Sequence, residues 1–422
     1  MLNRGVITFV AVFVLLAIFV QSSFAATADE LRLQIASRSA EIKRLENEIT
    51  GYQEELTATV KVSSSLQSEI KRLETTRKKL AADIKVTENK IELTDLKIKE
   101  IALDIGNKNR TVSSRQAALG ESLREWRSRD NESLFEIMLA YPHLADFWNE
   151  LDQLTALQHQ VQDSIATLRS LRSELEVSKL ATENERNELD RLRTRLADQK
   201  VLAEDNKAEK DRLLKSTKNK EANYKILLVG TQAKKEAFEK ELFDFENQLR
   251  IVIDPKSIPS AGKGILAWPL ESIFITQQFG KTMDAKRLYV SGTHNGVDFR
   301  ATVGTPVKAA LAGVITAVGD TDRACPGASY GKWVLIKHAN GLSTIYGHLS
   351  LIKAVAGEII KTGQVVAYSG NTGYSTGPHL HLSVLVTQGV RVGEYNFKSC
   401  AGAKITMPLT SPEAYLDPLI YL

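Results

Sequence analysis

The first half of the chain keeps apolar residues at a seven-residue spacing over an exceptional length. One series takes ten heptad steps from Ile35 to Ile105, and only Ser63 and Arg77 interrupt it with polar side chains. A companion series three residues later begins at Leu45 and is rich in leucine. A straight helix would drift off this register, so isoleucine in one series and leucine in the other predicts the a and d positions of a coiled coil. The two polar positions fix the register or mark a weak point.

A second heptad series runs from Leu154 to Leu196. Residues 28–250 contain no proline except Pro142 and few glycines, as long helices require. We therefore predict a coiled-coil domain over residues 28–250, folded back on itself as an antiparallel hairpin of two long helices. The first helix would run from about residue 28 to 120 and reach on the order of 140 Å. A parallel dimer of straight rods is the competing arrangement.

The segment between the two series, residues 130–150, is apolar and aromatic. It contains Phe135, Phe147 and Trp148 near the expected bend. Simple packing of these side chains against the helical arms would account for them. The functional alternative is a docking surface for a partner, because apolar clusters with polar rims often mark contacts.

The N-terminus has the features of an export signal. Arg4 precedes an apolar run from Val6 to Val20, which is short for a membrane span, and Ser23-Phe24-Ala25 offers a small-x-small cleavage site. We expect residues 1–25 to be a signal peptide, or else an uncleaved anchor. In either case the remainder would be exported and would act in the periplasm or outside the cell.

The overall charge argues against nucleic acid as a partner. The chain has 55 basic and 51 acidic residues and a formal net charge of +4. A nucleic-acid binder normally carries a clustered basic face, which this near-balance does not suggest. A weakly basic protein can still be attracted to anionic cell-wall polymers.

The composition changes sharply after the helical region. Residues 251–265 contain two prolines, two glycines and two serines, and we predict a linker there. From residue 266 to 422 short alternating runs are separated by glycine-containing turns, which predicts an all-β domain. The predicted strands include Thr305–Val307, Gly313–Val318, Trp333–Lys337, Ser343–Tyr346 and Gln364–Ser369.

Five of the seven histidines lie in this β domain and suggest a metal site. His379 and His381 are two residues apart, so in a strand both imidazoles face the same side. His294 and Asp298 add an imidazole and a carboxylate across a short turn. Three nitrogen or oxygen ligands with one open position describe a catalytic Zn²⁺ site. The histidines left over, which include His348, can transfer protons or stabilise an oxyanion.

The other histidines have an ordinary interpretation. His338 follows a predicted strand, and His143 and His159 lie in the helical region. We expect none of the three to carry chemistry.

The chain has two cysteines, Cys325 and Cys400, and neither belongs to a CxxC pair. A thiolate zinc site is therefore not expected. Outside the cytoplasm a disulfide persists, so we predict that the two pair with each other. Two unpaired buried thiols are the alternative.

Three motifs in the β domain resemble the metallopeptidase family M23, the LytM/lysostaphin-type peptidoglycan endopeptidases. They are HNGVD at residues 294–298, YGHLS at 346–350 and GNTGYSTGPHLH at 370–381. The resemblance covers roughly Trp268 to Val386. It implies that His294, Asp298 and His381 bind zinc, that His348 and His379 are catalytic, and that antiparallel strands form an open groove.

One departure from the family pattern stands directly after the last motif. Family members commonly follow the last histidine with an aromatic residue and a glutamate, whereas Leu382 and Ser383 follow His381 here. Neither position is a metal ligand, so the departure bears on which substrate is recognised more than on whether the domain is active. The preceding coiled coil is similar to that of EnvC/PcsB-type cell-division hydrolases and activators.

These observations predict a multidomain protein, a helical coiled-coil hairpin followed by an antiparallel β-sheet zinc peptidase domain. The predicted function is hydrolysis of peptide bonds in peptidoglycan stem peptides or cross-links during wall remodelling or cell division. The coiled coil would restrain the enzyme, and the likeness implies an FtsEX-like membrane ABC transporter as its partner. The alternative is a non-hydrolytic activator of a cell-wall amidase, which such proteins become when the metal site erodes.

Overall fold

The computed structural model describes residues 28–60, 65–129, 144–248, 260–289 and 291–422. The predicted signal peptide and most of the aromatic segment at the bend lie outside these ranges. Within them, no helix is both long and apolar enough to cross a bilayer. The chain forms two compact units, Met1–Lys43 with Glu88–Arg193, and Arg44–Thr87 with Thr194–Leu422.

Four long helices occupy the described part of the N-terminal half. They are α1 (Ala28–Val60), α2 (Leu66–Arg129), α3 (Leu144–Thr217) and α4 (Glu221–Gln248). They bury much of the predicted heptad series, which explains why the periodicity is so strict. The buried members include Ile42, Leu45, Leu56, Leu66, Leu73, Leu80, Val161, Leu168, Leu175, Leu189 and Leu192.

The single helix predicted from about residue 28 to 120 is wrong, because α1 ends at Val60 and α2 begins at Leu66. The intervening residues 61–65 contain one valine and three serines, which are weak helix formers. The Ser65 hydroxyl accepts a hydrogen bond from the Ser68 N–H at 3.1 Å and so caps the new helix. Ser63, one of the polar interruptions in the heptad series, lies in the undescribed gap itself.

Ion pairs fix the helix directions within each unit. In the first unit Arg32 of α1 pairs with Glu100 of α2 at 2.9 Å, and further along Arg38 pairs with Glu92. Residue numbers rise on one helix as they fall on the other, so α1 and α2 are antiparallel.

Helices α2 and α3 are also antiparallel, as the predicted hairpin requires. In the first unit Lys97 of α2 lies 3.8 Å from Glu185 of α3, and further along Lys108 lies 3.8 Å from Glu174, so residue numbers rise on one helix as they fall on the other. In the second unit Arg72 pairs with Glu209, and further along α2 Leu80 is buried in one cluster with Leu202. The sequence therefore predicted this hairpin but missed that α1 adds a further antiparallel arm.

A tight turn separates α3 from α4. Lys218 and Asn219 both adopt left-handed backbone conformations, with φ of 49° and 53°. The Asn219 N–H donates to the Leu214 carbonyl, and the Asn223 side chain donates to Thr217 O at 2.8 Å. These bonds satisfy carbonyls at the end of α3 and redirect the chain into α4.

The C-terminal part is an antiparallel β domain, as predicted. The strands are β1 (Ile275–Gln277), β2 (Val297–Arg300), β3 (Pro306–Lys308), β4 (Gly313–Asp320), β5 (Lys332–His338), β6 (Leu342–Ile352), β7 (Ile359–Ile360), β8 (Val365–Ser369), β9 (His379–Val386), β10 (Val390–Phe397), β11 (Ala403–Thr410) and β12 (Tyr415–Leu416). The main sheet has the strand order β1-β2-β9-β6-β5-β4-β7. Strand β12 pairs with β9, β8 pairs with β3 and β6, and β10 and β11 form a separate hairpin. A short helix, α5 (Met283–Leu288), was not predicted.

Cys325 and Cys400 form the predicted disulfide, with their Cα atoms 5.5 Å apart. It joins the loop between β4 and β5 to the turn that follows β10. The bridge closes a loop of 75 residues. On the chain-entropy model such a loop stabilises the fold by about 4 kcal/mol, and often by less in practice.

Candidate functional site

Strand pairing gathers the candidate metal ligands. Antiparallel β2 and β9 place Asp298 opposite His381, and β6 places Gly347 opposite His381 on the other side. His294 precedes β2 and exchanges two backbone hydrogen bonds with Gly280. Residues more than 80 positions apart in sequence are thereby brought to one point of the sheet.

The three predicted ligands present one atom each to a common point. His294 Nε2 lies 3.2 Å from His381 Nδ1 and 3.3 Å from Asp298 Oδ1. His381 Nδ1 is 2.9 Å from the same carboxylate oxygen. Tetrahedral Zn²⁺ with bonds of about 2.0–2.2 Å requires ligand atoms roughly 3.3–3.5 Å apart, which is close to this triangle. The three groups are buried together and fit a metal ion.

Each ligand imidazole is held by a hydrogen bond on its other nitrogen. His294 Nδ1 lies 3.0 Å from the Gln278 carbonyl, and His381 Nε2 lies 2.9 Å from the Ser383 hydroxyl. Such contacts fix the tautomer that turns the free lone pair toward a metal. Ser383 thus forms a hydrogen bond that orients the candidate ligand His381. It occupies one of the two positions where the sequence departs from the family pattern. Sequence reasoning assigned it no role.

The two predicted catalytic histidines lie beside the ligands, with ring centroids 4.6 Å apart. His348 Nδ1 is 2.8 Å from the Thr372 carbonyl, and His379 Nδ1 is 2.7 Å from the Gly377 carbonyl. With Nδ1–H donating to a carbonyl, each ring keeps the Nε2 lone pair for proton transfer. His379 Nε2 lies 3.6 Å from Asp298 Oδ1.

His348 also has an uncommon backbone conformation. Its φ is 59°, in the left-handed region that costs a residue with a side chain on the order of 1 kcal/mol or more. Its N–H donates to the Tyr330 carbonyl at 2.7 Å, which helps to hold this conformation. Strain of this kind often accompanies a functional side chain.

Burial and neighbouring charges set the protonation states. Burial lowers the pKa of His348 well below its usual value, and His379 and His381 lower it further. Burial lowers the pKa of His381 as well, although Asp298 opposes this. Burial alone would raise the pKa of Asp298, but the charge of His379 and hydrogen bonds from His294 and His381 hold it well below its ordinary range. A deprotonated Asp298 carboxylate beside a neutral His381 imidazole is the state that metal binding requires.

Aromatic side chains that the sequence did not single out complete the site. The Tyr289 ring stacks on His294 with an interplanar angle of 2° and centroids 5.4 Å apart. The Tyr330 hydroxyl accepts from the Asn295 side chain and lies 3.1 Å from the Tyr415 hydroxyl. No motif marks these tyrosines, because strand pairing and loop packing alone bring them to the site.

The two other histidines within the described residues lie outside the site. His338 lies in the core, with Nδ1 3.1 Å from Ala312 O and Nε2 2.9 Å from the Thr344 hydroxyl. His159 is exposed on α3. His143 lies outside the described residues.

Helix α4 lies over the candidate site. A cavity separates them, and its walls include Phe238, Glu239 and Leu242 of α4 on one side. Tyr289, His348 and His381 belong to the opposite wall. The cavity therefore lies between α4 and the candidate site.

Apolar and polar contacts hold α4 against the β domain. The Phe238 ring is 1% exposed and lies 4.2 Å from the Phe397 ring, centroid to centroid. The Glu241 carboxylate accepts hydrogen bonds from the backbone N–H groups of Lys398 and Ser399 at 2.8 and 2.9 Å. These contacts fall on β10 and on the turn that carries Cys400, so the disulfide braces the surface on which α4 docks.

Glu246 makes this docking sensitive to pH. Burial raises the pKa of Glu246 to about 8, although a hydrogen bond from Tyr415 opposes the shift. The Tyr330 hydroxyl lies 3.1 Å from that of Tyr415. Burial and the nearby Glu246 carboxylate both raise the pKa of Tyr330. A solvated glutamate titrates near pH 4.3, so the docked helix retains a proton that the free helix loses. Docking is therefore most favourable at low pH and weakens as pH rises toward about 8.

Comparisons with known proteins identify the β domain. Residues 292–393 match the model of Peptidase family M23, so the chain carries an M23 domain. It is 42% identical over 113 residues to the DD-carboxypeptidase/endopeptidase Mpg of Neisseria meningitidis serogroup B, a match that covers 27% of this chain and 24% of that protein. It is 41% identical over 93 residues to the peptidoglycan DD-endopeptidase ShyA of Vibrio cholerae, covering 22% of this chain and 20% of the relative.

One solved structure extends the same comparison. The catalytic domain of the M23 protein EnpA from Enterococcus faecalis is 32% identical, and the match covers 29% of this chain and 87% of that one, with a TM-score of 0.25. The chain spans about a quarter or less of the length of the curated relatives above. The predicted M23 resemblance is confirmed for the β domain, and the EnvC/PcsB likeness of the helices stays a prediction.

The ligand assignment predicts distinct effects for two histidines of one site. The full chain should bind close to one zinc ion, and His381→Ala should lose most of it because a ligand atom is removed. His348→Ala should retain the metal, since this ring is not among the ligands. Elemental analysis after gel filtration measures both. Zinc retained in full by His381→Ala would contradict the assignment.

Proposed function

We propose that this protein is a zinc-dependent endopeptidase that hydrolyses peptide bonds in peptidoglycan stem peptides or cross-links. The observation that carries the proposal is the triangle of His294, Asp298 and His381 with two more histidines beside it. The similarity to relatives that include a peptidoglycan DD-endopeptidase supports the substrate class. The site of action would be the periplasm or the cell exterior, where peptidoglycan lies.

The residues have complementary roles in this proposal. A zinc ion held by His294, Asp298 and His381 would acidify water and polarise the scissile carbonyl. His348 and His379 each offer an Nε2 lone pair that can take a proton from the attacking water. Once protonated, either ring can donate to the developing oxyanion or to the leaving amine. Their Nδ1 bonds to Thr372 and Gly377 hold both rings in position for this exchange.

The alternative function, activation of a separate amidase without hydrolysis, is not favoured. An activator has no need of a metal site, and here all three ligands and both further histidines are present and close together. The proposal therefore keeps catalysis in this chain.

We further propose that the helical region, residues 28–250, restrains the peptidase of residues 266–422 through α4. The support is the position of α4 over the histidines and its contacts through Phe238 and Glu241. An FtsEX-like membrane transporter that engages the helices would then release α4 during cell division. Two states that differ by a few kcal/mol suffice for such a switch.

If α4 restrains the peptidase, weakening its contacts with the β domain should raise the rate of peptidoglycan hydrolysis. Phe238→Ala removes a buried ring, a change that typically costs 3–5 kcal/mol. A loss of about 3 kcal/mol would raise a minor open population by roughly 100-fold. We expect at least a tenfold faster release of fragments from purified peptidoglycan. Ile226→Ala, an exposed apolar position on the same helix, serves as the control and should match the wild type. Equal rates for Phe238→Ala and the wild type would contradict the proposed restraint by α4 but not the proposal that the chain is a peptidase.

Hydrolysis itself is tested in the Phe238→Ala background. Mass spectrometry of digested wall should show new termini within stem peptides or cross-links and intact glycan strands. Adding His348→Ala should slow the reaction by a factor on the order of 10² or more while zinc is retained, as expected when a proton-transfer group is lost. His159→Ala is the matched control, because that histidine is exposed on α3. Undiminished cleavage by the His348 variant, or no peptide fragments from any variant, would overturn the proposed function.

A further inference from the structure

Lys235 of α4 reaches into the groove beside the candidate site. Its Nζ donates a hydrogen bond to the Ser375 carbonyl at 3.0 Å. The same ammonium lies 5.7 Å from the centroid of the Tyr374 ring. A carbonyl oxygen and an aromatic face are two groups that proteins use to bind an ammonium.

The loop between β4 and β5 forms the other wall. The stem of Lys235 lies against Gly327, where an added Cβ would come within 2.7 Å of Lys235 Cε. Gly327 also has a φ of 84°, so the loop conformation and the close approach both require glycine. The carboxylate of Asp322 accepts hydrogen bonds from the N–H groups of Gly327 and Gly373 at 2.6 and 2.8 Å, which fixes it behind this wall.

Electrostatics fit an ammonium at this position. Burial lowers the pKa of Lys235, and the negative charge of Asp322 acts in the opposite direction. Burial likewise raises the pKa of Asp322, and its two backbone hydrogen bonds oppose that shift. The carboxylate therefore compensates part of the cost of removing a cation from water.

The position adjoins the candidate catalytic residues. The Ser375 hydroxyl is 3.2 Å from His379 Nδ1. The Tyr374 ring lies 5.9 Å from the Tyr289 ring, which stacks on His294. A group bound beside Ser375 would thus be close to the bond undergoing hydrolysis.

We propose that the Ser375 carbonyl, the Tyr374 ring and the Asp322 carboxylate form a subsite for a side-chain ammonium of the substrate, and that Lys235 fills it when α4 is docked. The inference rests on the proposed function and narrows its substrate class to peptides with a free primary amine near the scissile bond. The diamino acid of a peptidoglycan stem peptide carries such a group. Helix α4 then restrains the enzyme partly by supplying the cation that the substrate would bring.

The first test asks whether Lys235 competes with substrate for the proposed subsite. Lys235→Ala in the full chain should raise the rate of wall hydrolysis at least threefold, because the subsite loses its internal competitor. Lys234→Ala removes an exposed lysine one position away and should leave the rate at the wild-type value. Equal rates for Lys235→Ala, Lys234→Ala and the wild type would overturn the claim that Lys235 competes with substrate.

The second test concerns the ligand and uses the full chain with Phe238→Ala. Its substrates are purified stem peptides and their cross-linked dimers, either native or N-acetylated on their free side-chain amines, which removes the charge. We expect kcat/KM to be at least tenfold higher for the native than for the acetylated substrates. The difference between the two should become smaller when Tyr374→Leu removes the aromatic ring. Equal cleavage of both substrates would overturn the subsite and leave the peptidase standing. Failure to cleave either would remove the proposed function and this inference with it.

Discussion

The pairing of β2 with β9 is the constraint on which the site depends. It sets Asp298 opposite His381, and β6 on the far side of β9 sets Gly347, next to His348, opposite the same residue. A shift of one residue in either pairing would turn these side chains to the other face of the sheet. The buried apolar residues that alternate with the polar ones, among them Val297, Leu380 and Leu382, resist such a shift. The core of the β domain therefore fixes the triangle of candidate ligands.

The second feature is the helix that lies on this sheet. Helix α4 follows α3 directly through the left-handed turn at Lys218 and Asn219. Its contacts are of different kinds: the Phe238 ring, the Glu241 carboxylate on two backbone donors, and the Lys235 ammonium on a carbonyl. Together they cover the histidines without any covalent link. Non-covalent contacts of this kind are what the proposed restraint requires, because it must be released for hydrolysis.

Local patterns predicted the elements, and long-range packing decided what they missed. Heptads identified the helices because apolar a and d positions, many of them buried, recur along the chain. Three short motifs identified five candidate histidine and aspartate residues because ligand chemistry restricts residue types. The break after Val60 was missed because a capping serine outweighed the periodicity. The roles of Ser383, Tyr330 and Lys235 were also missed. Each depends on a partner that tertiary folding, and not the neighbouring sequence, brings into contact.

The most direct test of the central claim is to locate the metal. Crystals of the full chain grown with zinc, with diffraction recorded on both sides of the zinc absorption edge, would give an anomalous difference map. The account predicts one strong peak about 2.0–2.2 Å from His294 Nε2, His381 Nδ1 and an oxygen of Asp298. A peak held by other residues, or an ordered ligand triangle with no peak in the presence of zinc, would contradict the account.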